Sequence, residues 1–233
     1  MKISRTTWEK FINCPRHLYL EKIKKIPLVR SPVFTINLAV DTLLKNEFDI
    51  YRKKQEPHPV FKKYNLNYVP YKTEEAKLKK WRHNFTGIKA ISKKTKAEIS
   101  GAVDDVWYDI DKKKLVVLDY KATAKKMLDN IEKSTISYHM TWKRQLDFYA
   151  YLLELNGYEV SSTAHWLYCN GVKEGLFNNQ VRFEVEIQNH SVKTDYIEDQ
   201  IVDLVKCLEG STVPDFKYDC EHCIRDKKIL DIN

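Results

Sequence analysis

The residues with the most chemical promise fall within Ser100–Thr123, SGAVDDVWYDIDKKKLVVLDYKAT. An apolar run, Leu115-Val116-Val117-Leu118, ends in Asp119-Tyr120-Lys121. A run so short and rich in β-branched residues suits a buried central strand better than a helix. Side chains alternate along a strand, so Asp119 and Lys121 share a face while Tyr120 takes the other. Asp104, on the strand expected to precede this one, can bring a second carboxylate beside Asp119, whereas Asp105 should face away. Two acids and a lysine at the end of a buried strand suit a divalent cation and a phosphate. Taken alone, Asp119 and Lys121 read equally well as a same-face ion pair.

The flanking sequence predicts the elements that would position these groups. Ala102–Ile110, the end of a longer strand Ala97–Ile110, and Leu115–Thr123 form a hairpin around Asp111-Lys112-Lys113-Lys114, and Ile88–Lys94 pairs with the longer strand to complete a three-stranded meander. A helix over Thr35–Arg52 buries Ile36, Val40, Leu43 and Leu44, with Asp41 at the margin of that stripe. Asp41 is there either a site carboxylate or the partner of Lys45 one turn on. A helix over Ser137–Asn156 buries Trp142, Leu146, Tyr149, Ala150 and Leu153, and places Gln145 and Tyr149 on one face. Strands over Ser162–Tyr168 and Val181–Ile187 and a helix over Thr194–Glu209 follow. At the start, Ser4 caps a helix that breaks near Cys14, and Pro15 opens the next one. Pro27 and Pro32 bracket a loop.

The chain has 233 residues and a net charge of +8, enough length for one large domain with a real core. The charge is unevenly spread: Arg52–Lys96 holds 14 Lys or Arg against Glu56, Glu74 and Glu75, while the remainder is net acidic. That bias favours a polyanionic partner. Lys79, Lys80 and Arg82 are candidate phosphate contacts, and Phe61, Tyr64, Tyr68, Tyr71, Trp81 and Phe85 can stack on bases or fill the core. The longest uncharged stretch, Val160–Val172, is shorter than the ~20 residues of a membrane span. Met1-Lys2-Ile3-Ser4 leads into a helical pattern with no apolar leader, and five cysteines is an odd number. Both features predict a reducing, cytoplasmic setting without a membrane partner.

Two Cys-x-x-(Cys/His) pairs lie far apart, Cys14 with His17 and Cys220 with Cys223. Together they offer the three thiolates and one imidazole of a closed zinc site, or else they are packing residues.

Five pieces then occur in one order: Ser4 with Cys14-Pro15-Arg16 and Tyr19-Leu20; Gly101-Ala102-Val103-Asp104; Asp119-Tyr120-Lys121; Gln145 with Tyr149; and Cys220 with Cys223. In that order the chain resembles the PD-(D/E)XK nuclease superfamily, and is most similar to its RecB-type branch, which includes CRISPR-associated exonucleases. The resemblance implies an α/β restriction-endonuclease-like core, with a mixed central sheet flanked by helices. The basic segment 53–96 is then a helical insertion, and 210–233 a tail packing on the first helix of a single domain. It implies a DNA exonuclease, using Mg²⁺ or Mn²⁺, in repair, recombination or CRISPR adaptation. Asp104 and Asp119 would hold the metal with the Tyr120 carbonyl and Asp41, and Lys121 would orient the attacking water or neutralise developing charge. Gln145 and Tyr149 would support that site or touch the DNA backbone.

This chain departs from the family pattern in three ways. Relatives of this branch carry a metal-binding histidine where Asp41 stands, an exchange of one magnesium- or manganese-compatible ligand for another. They often hold an iron–sulfur cluster with four cysteines, of which this chain lacks the third at the C-terminal end; Cys207 is the nearest substitute. Zn²⁺ is therefore expected ahead of iron–sulfur. No motor motif is present, so a helicase or a CRISPR adaptation protein would be a separate partner, acting with single- or double-stranded DNA. The competing expectation is a nucleic-acid-binding scaffold on this fold whose catalysis has degraded.

Overall fold

In the computed structural model, which describes residues 1–26, 35–125 and 129–230, the apolar run Leu115–Leu118 lies in the middle strand of a five-stranded sheet. The described residues group into two compact units. One comprises Val33–Ala90 and Ser100–Thr194; the other comprises Met1–Pro32, Ile91–Ile99 and Asp195–Asn233. The elements in chain order are β1 (Lys2–Ser4), α1 (Arg5–Asn13), α2 (Pro15–Lys22), α3 (Thr35–Lys54), α4 (Pro59–Lys63), β2 (Tyr68–Pro70), α5 (Glu75–Arg82), β3 (Ile88–Ile91), β4 (Glu98–Gly101), β5 (Asp105–Asp109) and β6 (Lys114–Thr123). They continue as α6 (Ser137–Leu155), β7 (Thr163–Gly171), β8 (Phe183–Ser191), α7 (Ile197–Glu209) and α8 (Glu221–Leu230). No helix among the described residues is long and apolar enough to cross a membrane.

The larger unit holds the sheet β2-β5-β6-β7-β8. Its β6–β7 pair is parallel and the other pairs are antiparallel, so the sheet is mixed. The alternation expected for β6 is present. Val116, Leu118 and Tyr120 join Phe48 of α3, Phe61, Trp107 and Leu167 in one buried cluster. On the opposite side Lys121 reaches α6, which also packs on β6. A mixed α/β architecture with sheets flanked by helices is the restriction-endonuclease-like arrangement expected. In this unit α6 is buried along Leu146–Leu153, and the polar Asp147 in that run accepts from His190 of β8 at 2.8 Å. His190 also contacts Glu132 at 2.8 Å. Burial opposes its charge, but the two carboxylates raise its pKa.

Several expected boundaries shift. The expected long strand Ala97–Ile110 divides into β4 and β5, which belong to different sheets; β4 instead lies in a sheet ordered β1-β4-β3. The meander is therefore replaced by β5 pairing with β6 on one side and with β2 on the other. The basic segment is accordingly not wholly helical, since Tyr68–Pro70 adds an edge strand where Pro70 is tolerated. On α3 the buried positions are Val40, Phe48 and Arg52, while Ile36 and Leu43 are exposed. The inward face of α3 thus runs at four-residue spacing and ends in an arginine, which an apolar pattern does not reveal.

In the smaller unit Ser4 caps α1, accepting from the Thr7 N–H at 3.1 Å. Cys14 is extended (φ −163°, ψ 105°) and Pro15 begins α2, so the proline breaks the helix as expected. The Tyr19 hydroxyl donates to the Gly210 carbonyl at 3.1 Å and Arg16 donates to that of Pro214 at 2.9 Å. These bonds tie α2 to the segment leading into α8, a helix the sequence analysis did not anticipate. The expected loop between Pro27 and Pro32 lies outside the described residues.

Candidate functional site

The site is assembled within the larger unit, at the end of β6. Asp105 pairs with Leu118 in the antiparallel β5–β6 ladder, so the preceding Asp104 comes level with Asp119. There Asp104 accepts a hydrogen bond from the Tyr120 main-chain N–H at 2.9 Å. Asp119 is 1% exposed, and neither of its carboxylate oxygens has a well-formed hydrogen bond among the described residues. Among the described residues its one compensating charge is the Lys121 ammonium, which is ion-paired to it. Burial drives the Asp119 pKa up to about 7; Lys121 opposes this rise and the neighbouring Asp104 carboxylate adds to it.

Asp41 approaches from α3. Its carboxylate accepts from Lys45 at 2.8 Å, and the Lys45 ammonium lies 3.7 Å from Asp104. Burial, followed by the Asp104 carboxylate, raises the Asp41 pKa against the opposing effect of Lys45. Asp41 is thus both the partner of Lys45 and a neighbour of the Asp104 carboxylate. On the other flank Lys121 donates to the Gln145 side-chain oxygen at 3.4 Å, and Gln145 donates to the Tyr149 hydroxyl at 3.0 Å. Tyr149 in turn lies against Gly101: a Cβ there would be 2.8 Å from Tyr149 Cε1. The glycine of Gly101-Ala102-Val103-Asp104 is therefore a packing requirement of the helix that supports Lys121.

The Tyr120 side chain faces away from this site, leaving only its main chain beside it. Its hydroxyl donates to Asp105 at 3.0 Å. Asp105 is fully buried and held by Arg52, by Arg82 at 3.0 Å and by the Val106 N–H at 2.8 Å. Asp49 bridges the two arginines, at 3.0 Å to Arg52 and 2.8 Å to Arg82. Burial disfavours the Arg82 charge, but Asp105 and Asp49 raise its pKa. Arg82, expected as a surface phosphate contact, is instead turned into this network. Lys79 and Lys80 remain on the surface, with Lys79 paired to Glu75 at 2.7 Å. The structure also divides the six aromatics between the two readings open to them, base stacking and the core. Phe61, Tyr68 and Trp81 are buried, Tyr64 and Tyr71 are half-buried, and only Phe85 of the six is fully open. Composition registers how many aromatics there are, not which ones the core consumes.

The carboxylates fit a divalent cation. Asp119 is a buried carboxylate lacking a full complement of donors, and a second carboxylate raises its pKa. That is costly unless positive charge arrives. Oxygen donors of this kind are those Mg²⁺ and Mn²⁺ take.

In the smaller unit Cys14, His17, Cys220 and Cys223 converge, with all four ligand atoms within 4.8 Å of one another. His17 Nδ1 lies 3.0 Å from Cys14 Sγ, 3.4 Å from Cys220 Sγ and 3.6 Å from Cys223 Sγ, and the Cys14–Cys223 sulfurs are 3.5 Å apart. A tetrahedral zinc with bonds of about 2.0–2.3 Å requires ligand separations of roughly 3.5 Å, so these residues fit one ion. Burial raises the Cys14 pKa to about 12, which makes a thiolate there dependent on a cation. Sequence reasoning missed Asp226, whose carboxylate lies 3.2 Å from His17 Nε2. It is positioned to hold the ring with Nδ1 toward the sulfurs.

Because Asp105 is buried and its charge is balanced chiefly by arginines, Arg52→Met should destabilise the protein by about 3–5 kcal/mol in urea titrations. A loss below about 1 kcal/mol would mean that the network does not hold α3 to the sheet.

A sequence model of the PD-(D/E)XK nuclease superfamily matches residues 35–226. No curated protein matches the chain. A solved structure described as "Crystal structure of SSO0001" aligns over 97% of this chain and 84% of that one, at 18% identity and a TM-score of 0.38. A likeness that distant adds nothing to the assignment.

Proposed function

The chain belongs to the PD-(D/E)XK nuclease superfamily, and on that premise we propose that it is a metal-dependent DNA nuclease of the RecB-like kind, acting in repair, recombination or CRISPR adaptation. The observation that carries this reading is the buried Asp119 carboxylate, level with Asp104 and sharing a strand face with Lys121. Asp104 and Asp119 would hold a magnesium or manganese ion, with the Tyr120 carbonyl and Asp41 as further oxygen donors. When bound, such an ion lowers the pKa of a coordinated water and polarises a phosphoryl oxygen.

The chain's own residues do the rest. Lys121, with its ammonium directed by Asp119 and Gln145, would orient the attacking water and neutralise charge developing on the phosphate. Gln145 and Tyr149 are positioning residues that restrict where that ammonium can point. Lys79 and Lys80 would meet the DNA backbone. Lys45 supports the competing scaffold reading, because its ammonium approaches both Asp41 and Asp104, where it can substitute for a cation.

End-labelled single- and double-stranded DNA incubated with Mg²⁺ or Mn²⁺ separates the two. Cleavage should require the ion, fall by about 10²-fold or more in Lys121→Ala and vanish in Asp119→Asn, with salt-sensitive DNA binding retained. Asp119→Asn cutting at the wild-type rate would remove the assignment. Binding with no ion-dependent cutting by the wild type would favour the scaffold.

For the cysteine–histidine cluster the proposed occupant is zinc, a metal that an imidazole held by a carboxylate suits well. Protein purified anaerobically should be colourless with about one zinc per chain. Cys223→Ser should lose both metal and thermal stability, and Asp226→Asn should bind zinc roughly 10–100-fold more weakly. Brown protein with stoichiometric iron and sulfide, or protein with no metal, would contradict this.

A further inference from the structure

Resting on the nuclease reading, we infer that Lys45 is a second catalytic lysine, whose ammonium, held over Asp41 and Asp104, would bind a non-bridging oxygen of the phosphate that Lys121 meets from the other flank. The Lys45 ammonium lies 2.8 Å from the Asp41 carboxylate and 3.7 Å from Asp104 Oδ1. Asp104 Oδ2 accepts from the Tyr120 main-chain N–H. The neighbouring carboxylate, Asp119, is ion-paired to Lys121. Two adjacent acids thus each meet an ammonium, one brought by α3 and the other by β6.

A helical ion pair one turn long does not account for this placement. Such a pair needs only Asp41, and it stabilises a helix slightly. An ammonium carries three N–H donors. Lys45 makes one hydrogen bond among the described residues, to Asp41, and at 3.7 Å Asp104 attracts its charge without completing a second. Donors therefore remain for another acceptor. Lys45 is also within reach of solvent, its side chain 20% exposed against 15% for Lys121, whereas Arg52 and Arg82 are turned into the Asp105 network.

The charge balance selects a phosphate as that acceptor. With every group ionised, Asp41, Asp104 and Asp119 carry three negative charges, and Lys45 and Lys121 carry two positive ones. A divalent cation on these acids brings the cluster to a net charge of +1, which the single negative charge of a phosphodiester neutralises. Without Lys45 the loaded cluster would be neutral and would offer the phosphate no net attraction. In hydrolysis the water oxygen bonds to phosphorus as the bond to the leaving sugar oxygen breaks, and one water proton ends on that oxygen. Lys45 transfers no proton in this step; it acts by its charge on the phosphoryl oxygens, where negative charge develops. On the scaffold reading Lys45 stands in for a cation, whereas on the nuclease reading it acts beside one.

The test combines cutting in Mn²⁺ with equilibrium binding in Ca²⁺, using oligonucleotides that carry one neutral methylphosphonate linkage scanned along the strand. Lys45→Met should cut about 10²-fold more slowly and bind the intact strand about tenfold more weakly. The linkage whose neutralisation stops cutting marks the reacting phosphate. A methylphosphonate there should weaken wild-type binding, and Lys45→Met should add little to that loss, because both changes remove the same contact. Lys45→Arg, which keeps the charge, should bind the intact strand almost as the wild type does, and Lys45→Gln is a second neutral variant should Lys45→Met not fold. Lys53→Met, eight residues further along α3, controls for the loss of a charge, and its effect should add in full to that of the methylphosphonate. Cutting by Lys45→Met at the wild-type rate, or a loss of binding as fully additive as that of Lys53→Met, would overturn the inference and leave the nuclease reading standing. A wild type that does not cut in Mn²⁺ would remove the nuclease reading and the catalytic role with it; coupling at one linkage would then leave Lys45 as a phosphate contact.

Discussion

Burying a carboxylate in a protein interior is expensive unless positive charge or several donors accompany it. This chain buries two at one strand end and treats them differently. Asp105 is surrounded by Arg52, Arg82, the Tyr120 hydroxyl and the Val106 N–H. It belongs to a closed network that draws α3, α5 and β5 together. Among the described residues Asp119 has only Lys121. Because Asp104 and Asp105 are sequence neighbours facing opposite ways, rigidity on one side of the sheet fixes the geometry of the other. The paired side supplies structure, and on the proposed reading the underpaired side is the one that would meet the metal and the phosphate.

The second constraint comes from α6. Its burial along Leu146–Leu153 and the His190 contacts to Asp147 and Glu132 anchor it to the sheet. Gly101 allows Tyr149 to approach the strand, Tyr149 holds Gln145, and Gln145 meets Lys121. Each member is separated in sequence from the lysine it supports, yet the line of contacts from Gly101 to Lys121 is continuous. In the smaller unit the same logic applies to the cysteine–histidine cluster, where Pro15 and the extended Cys14 turn the chain so that Cys14 and His17 face α8.

Much of this was legible in the sequence because it followed from local rules. Strand alternation placed Asp119 and Lys121 together and Tyr120 opposite, helical spacing paired Gln145 with Tyr149, and proline located the break at Cys14. The convergence of Cys14, His17, Cys220 and Cys223 was legible from ligand types alone. The rest depended on distant partners. Arg82 read as one more surface cation until the structure placed Asp49 and Asp105 beside it. Phe61, Tyr68 and Trp81 read equally as stacking or core residues, and β2 and its neighbours draw Phe61 and Tyr68 into the core. The three-residue β2 carried no periodic signal, and Asp226 could not be tied to His17 by any spacing rule.

The central claim is that the Asp104–Asp119 pair is completed by a divalent cation, and a thermal-unfolding titration with Mn²⁺ tests it directly on zinc-replete protein. A cation that binds only the folded state raises the unfolding midpoint progressively, by about 2.7 kcal/mol of stability at a hundredfold excess over its dissociation constant. The account predicts that rise for the wild type. In Asp119→Asn it predicts no rise, because one of the two carboxylates that would hold the ion has been removed. A wild-type midpoint indifferent to Mn²⁺, or an equal rise in Asp119→Asn, would contradict it.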